Sequence, residues 1–132
     1  MMTLSIGLCL CGAAALVHVY IFYLESIAWT GKTARAVFGI KTVEEAQSMK
    51  LLALNQGYYN LFLAIEIALG TTLWLGGQST VGATLVFVGA GSMVLASLVL
   101  LVSSPDKAAA ALKQGLLPLL GIVALTVGLW KS

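Results

Sequence analysis

Between Ile67 and Pro105 the chain has no aspartate, glutamate, lysine or arginine. A soluble domain would carry about a quarter of its residues as charges. An uncharged run of this length belongs in a bilayer, where only self-satisfied backbone such as a helix is stable. The composition agrees, with 60% hydrophobic and 9% charged residues in 132. The expected fold is therefore all-α, a bundle of four transmembrane helices forming a single integral membrane domain over residues 1–132.

Spans of about 20 apolar residues cross a bilayer. Four fit: about Leu4 to Leu24, Leu51 to Leu73, Thr80 to Val102 and Ala108 to Trp130, the last with a proline at 118 expected to kink it. Spans two and three are joined by a short neutral turn around "GGQST". The link between spans one and two is longer. Its "TARAVFGI" stretch reads as an amphipathic segment along the cytoplasmic membrane surface. Thr42 followed by Glu45 has capping-box spacing and marks a helix start. That helix is expected to run on into span two and to loosen at Gly57.

Lys32, Arg35, Lys41, Lys50, Lys107 and Lys113 fall in or beside loops one and three, whereas Lys131 alone marks the other side. By the positive-inside rule loops one and three face the cytoplasm and both termini lie outside, in a multi-pass protein of the cell membrane. "LCLCG" has no basic residue before it and the apolar run continues past it, so the N-terminus reads as a retained span. Cys9 and Cys11 point to opposite sides of a helix and do not bridge each other. The net charge of +2 gives no nucleic-acid footprint.

One stretch does not fit a lipid environment. "ALNQGYYNLFLAIEI", residues 53–67, contains Asn55, Gln56, Tyr58, Tyr59, Asn60 and Glu66. With span midpoints near residues 14 and 62, position i of span one is level with about position 76 − i of span two. His18 then falls beside Tyr58 and Tyr59, and Glu25 beside the start of span two. His18 and Glu25, seven apart, share a face of span one, and Asn55 and Tyr59 share a face of span two. Ser97, Lys113 and Gln114 come to a similar depth. The result is a polar pocket in the cytoplasmic half, closed on the other side by small residues such as Gly7, Ala14, Gly89 and Ser92.

His18 followed by "YLESIAW", then "VFG" and "NQGYYNLFLA", resembles the domain of unknown function 1304 family, small four-span membrane proteins. The resemblance covers nearly the whole chain and is strongest at His18, Glu25, Trp29, Phe38, Asn55, Gln56, Gly57, Tyr59 and Asn60. It implies a four-span fold in a membrane, and some members carry the label epimerase.

An imidazole can donate and accept a proton at once, so His18 is a candidate acid/base, with Glu25 setting its state and Tyr59 or Asn55 polarising a carbonyl or hydroxyl. Asn55, Gln56, Asn60 and Trp29 are candidate ligand contacts. The plainer readings make His18 and the amides interhelical glue and Glu25 a solvated carboxylate. Trp29 would then join Tyr20 and Tyr23 in an interfacial belt. Glu66 stands alone, at a cost of about 2.5–3.5 kcal/mol for an acidic group at the bilayer centre.

No phosphate loop, nucleophile elbow, metal set or cofactor motif is present. The partners expected are the bilayer, a small amphipathic molecule of unknown identity and, as one arrangement, a second copy in a homo-oligomer. Three functions compete: a membrane enzyme of proton transfer, such as an isomerase or epimerase, an assembly module, and a small proton-coupled transporter.

Overall fold

A computed structural model describes residues 1–131. It is all-helical: α1 (Met2–Phe22) ends in a π turn (Tyr23–Ile27), followed by a short α2 (Lys32–Phe38), α3 (Val43–Leu75), α4 (Ser79–Ser103), a 3₁₀ turn (Pro105–Lys107) and α5 (Ala108–Trp130). Four of these segments, Met2–Ile27, Val43–Leu75, Ser79–Ser103 and Pro105–Trp130, are long and apolar enough to cross a membrane. The chain is a multi-pass membrane protein built as a four-helix bundle. α1 packs beside α3 and α5, and α4 closes the ring between them.

The inward positions explain the packing. α1 buries Gly7, Cys11, Ala14, His18 and Ile21, and α5 buries Ala111, Gly115, Pro118, Gly121, Leu125 and Gly128. Both sets advance by threes and fours, the spacing of helices that pack at a shallow left-handed crossing. In lipid there is no hydrophobic drive to hold helices together, so close backbone approach through small residues does that work.

Each seam of the ring has a glycine contact. A Cβ added at Gly7 would lie 2.9 Å from the Leu125 nitrogen, at Gly70 2.8 Å from the Gly82 oxygen, at Gly115 2.8 Å from Ser97 Cβ and at Gly57 3.0 Å from the Ser26 nitrogen. α5 continues through Pro118, which is fully buried.

α3 starts where the capping pattern predicts. Thr42 Oγ1 accepts from the Glu45 N–H at 3.1 Å, and Glu45 Oε2 accepts from the Lys41 N–H at 3.1 Å. The return bond reaches one residue further back than in a standard box. The helix is unbroken through Gly57 and has 33 residues, about 50 Å at 1.5 Å per residue. A hydrocarbon core is only about 30 Å thick. The π turn that ends α1 lies beside the first half of α3, where Ser26 Oγ donates to the Leu54 oxygen at 2.9 Å. The first three turns of α3 therefore project past the end of α1.

The α1–α3 connection folds back onto that projection. Trp29, Ile40, Ala46 and Ala53 form a second small core with Phe38 packed against it. Trp29 Nε1 donates to the Ala46 oxygen at 2.8 Å, and its ring lies 5.3 Å from that of Phe38. α2 ends at Gly39, which takes φ of +70° and lets the Ile40 N–H reach back to the Arg35 oxygen at 2.8 Å. The "TARAVFGI" stretch is thus a helix with Ala34 fully buried, held to the bundle by its own apolar residues.

Candidate functional site

The polar residues singled out in the sequence divide into three groups. Only Glu25 and Asn60 meet. Asn60 Nδ2 donates to Glu25 Oε2 at 2.9 Å and to the Gln56 backbone oxygen at 3.0 Å. The contact depends on the π turn, in which the Ala28 N–H bonds the Tyr23 oxygen five residues back at 2.9 Å. A π turn holds more residues per turn than an α-helix and swings later side chains off the earlier line. Glu25 there faces α3, bonded to Asn60 and lying beside Gly57. Gly57 allows the approach, since only a residue without Cβ leaves room for Ser26.

His18 takes no part in this cluster. It is 2% exposed within the bundle core, and its Nδ1 lies 2.9 Å from the Ala14 oxygen one turn back. That neighbour can only accept, so Nδ1 donates to it. The depth expectation is corrected here. With Glu25 on Asn60 and Ser26 on Gly57, His18 lies level with about residue 65, not with Tyr58 and Tyr59. The difference is about two turns, because only the part of α3 beyond its projecting start lies beside α1, which brings later residues of α3 level with His18.

Asn55, Gln56 and Tyr59 form the third group. All are exposed on α3, Tyr59 at 64%, outside the contact with Glu25. Asn55 and Tyr59 lie about 160–200° around the helix from Gly57, the residue that faces α1. The shifted register also moves the first half of "ALNQGYYNLFLAIEI" to the level where α1 ends. There Tyr20 and Tyr23 stack at 6.4 Å, and Phe22 meets Tyr58 edge-on at 5.2 Å. Trp29 is 6% exposed and belongs to the small core, so it is not part of this outer aromatic rim.

Glu66 lies deeper, against α4. A Cβ at Gly89 would come 3.6 Å from its Oε2, and among the described residues Glu66 has no hydrogen bond or ion pair. Ser97 bonds its own helix, donating to the Val94 oxygen at 2.9 Å. Lys113 and Gln114 line a separate groove between α1, α2 and α5, with Tyr20 and Phe38.

A groove of about 360 Å³ opens at the joint between the π turn and the projecting start of α3. Its lining includes Glu25, Ser26, Trp29, Thr30, Gln47 and Lys50, together with the apolar Ile27, Leu51 and Leu54. That volume is within the usual range for small-molecule sites. Gln47, Lys50, Leu51 and Leu54 repeat at helical spacing and so form one face of α3. The cap at Thr42 carries α3 over all four, as its spacing predicts, although the bilayer-crossing part was expected to begin only at Leu51. No group of three or more His, Cys, Asp or Glu side chains suited to a metal ion occurs among the described residues.

No curated protein and no solved structure matches the chain. Residues 12–126 match the model of the family described as "Protein of unknown function (DUF1304)". This stretch takes in the four-helix ring, the π turn, the groove and His18, so the chain belongs to that family.

Proposed function

We propose that the protein binds a small amphipathic molecule in the groove beside Glu25. One observation carries this reading: Glu25 is brought into a partly apolar groove by a π turn, and only one of its oxygens is engaged, by Asn60. A π turn interrupts regular helix bonding and is found often at functional sites. Proton-transfer chemistry on such a ligand would run through Glu25, the one carboxylate in the groove lining, with Lys50 as the second ionisable group. His18 and Tyr59 then act outside the groove, His18 as a core residue of α1.

The groove is on the side of the α1–α3 and α4–α5 connections, which carry Lys32, Arg35, Lys41 and Lys107. Their charge supports a cytoplasmic groove in the cell membrane, with both termini outside.

The test is native mass spectrometry of the protein released from its own membrane. A bound small molecule in the wild type that is lost from Asn60→Leu, at unchanged melting temperature, supports the reading. Identical spectra for both proteins would sink it.

A second reading rests on a separate observation. Asn55 and Tyr59 face outward from the bundle, where another helix could satisfy them. They favour a homo-oligomer formed through this face of α3, with the amide of Asn55 able to donate and accept across a two-fold axis. Loss of the oligomer on Asn55→Leu with Tyr59→Phe would support it.

A further inference from the structure

We propose that the groove beside Glu25 takes the headgroup of a zwitterionic aminophospholipid, a primary ammonium and a phosphate on one short linker. The assignment rests on the groove reading above and names its ligand class.

The groove lining contains one carboxylate and one ammonium, Glu25 and Lys50, and they form no ion pair with each other. Neither meets any other charge among the described residues. Opposite charges held apart in one groove complement a ligand that is itself a dipole.

The remaining lining sorts in the same way. The Trp29 ring N–H and the Ser26 hydroxyl already donate to backbone oxygens, and the backbone oxygen of Thr30 accepts from Arg35 Nε at 3.2 Å. The unengaged polar side-chain groups are Glu25 Oε1, the Lys50 ammonium, the Gln47 amide and the Thr30 hydroxyl. Glu25 can accept two or more N–H bonds from a primary ammonium, whereas a quaternary ammonium has none to give. Lys50 and Gln47 supply donors for phosphate oxygens.

A lipid source is favoured over a soluble one by the exposed apolar residues of the lining. Ile27 and Leu51, 67% and 74% exposed, extend from its lining onto the outside of the bundle. They offer acyl chains an apolar path leading away from the headgroup. The groove also opens at the level where α1 ends, which is headgroup depth for a helix that spans the bilayer.

The experiment uses the full chain in nanodiscs of equal parts phosphatidylethanolamine, phosphatidylcholine and phosphatidylglycerol with identical acyl chains. Native mass spectrometry reads the lipid retained on release. Phosphatidylethanolamine is expected at least tenfold over each of the others, with that preference lost in Glu25→Gln and in Lys50→Gln. Gln47→Leu, at a side chain with no structural bond, should weaken retention several-fold. Melting temperature controls for folding.

Equal retention of the three lipids by the wild type would overturn the assignment, as would a preference untouched by Glu25→Gln. A lipid-free protein in detergent that binds free phosphoethanolamine as tightly as the lipid would overturn the lipid source. Retention of another amphiphile, lost in Asn60→Leu, overturns the headgroup assignment and leaves the groove reading standing. A spectrum that no groove substitution changes overturns both.

Discussion

Asn60 on α3 donates to Glu25 in the π turn at 2.9 Å, a side chain-to-side chain hydrogen bond that links the end of α1 to α3. The bond sets the register of the two helices and leaves one carboxylate oxygen of Glu25 free toward the groove. A double-mutant cycle of Glu25→Leu and Asn60→Leu should give a coupling of about 0.6 kcal/mol, with about 1.7 as the upper end for such bonds in membranes. Unfolding in mixed micelles measures it, and a coupling of zero would mean that the bond does not hold the joint.

Gly57 and Gly91 make opposed cases. A Cβ at Gly57 runs into Ser26, whereas one at Gly91 meets nothing within 4 Å. Gly57→Ala should destabilise by about 1–3 kcal/mol through overpacking. Gly91→Ala should stay within about 0.5 kcal/mol of the wild type, as a substitution without contacts does. Melting temperatures of the two variants, measured side by side, check the contrast.

Trp29→Phe removes the ring N–H that donates to Ala46 while keeping most of the packing against Phe38. The expected loss is about 1 kcal/mol, the net worth of one hydrogen bond. It should be local, raising hydrogen exchange and protease cleavage over residues 28–46 and leaving the spans protected. Equal loosening of α4 and α5 would contradict a separate small core.

His18→Leu should keep any ligand of the groove, because His18 bonds its own helix and is about seven residues from Glu25 along α1. Retention within about twofold of the wild type is the expected outcome, because His18 is not part of the groove lining and shares no partner with it. A tenfold loss would return His18 to the site.

Charge asymmetry predicts sidedness. With Cys9 and Cys11 replaced, single cysteines at Lys41 and Lys107 should resist an impermeant thiol reagent added to intact cells, and one at Lys131 should react. The reverse pattern would invert the topology and move the groove to the outer face.

Much of this architecture could be read from the order of residues alone. The four apolar runs fix the number of spans, because a backbone in lipid must satisfy its own hydrogen bonds and about 20 residues are needed to cross. Thr42 and Glu45 fix the start of α3, because capping depends on neighbours in sequence. The family pattern around His18, Glu25 and Asn60 is equally local.

Depth and facing were decided only by the tertiary structure. A π turn after Phe22 changes the angle of the side chains that follow α1, and nothing in its sequence states that it forms. α3 is far longer than a bilayer is thick, so its midpoint is not the midpoint of its span. Those two facts separated His18 from Glu25, turned Asn60 inward and left Asn55 and Tyr59 outside. They depend on how closely α1 can approach Gly57, and that is a property of two helices together.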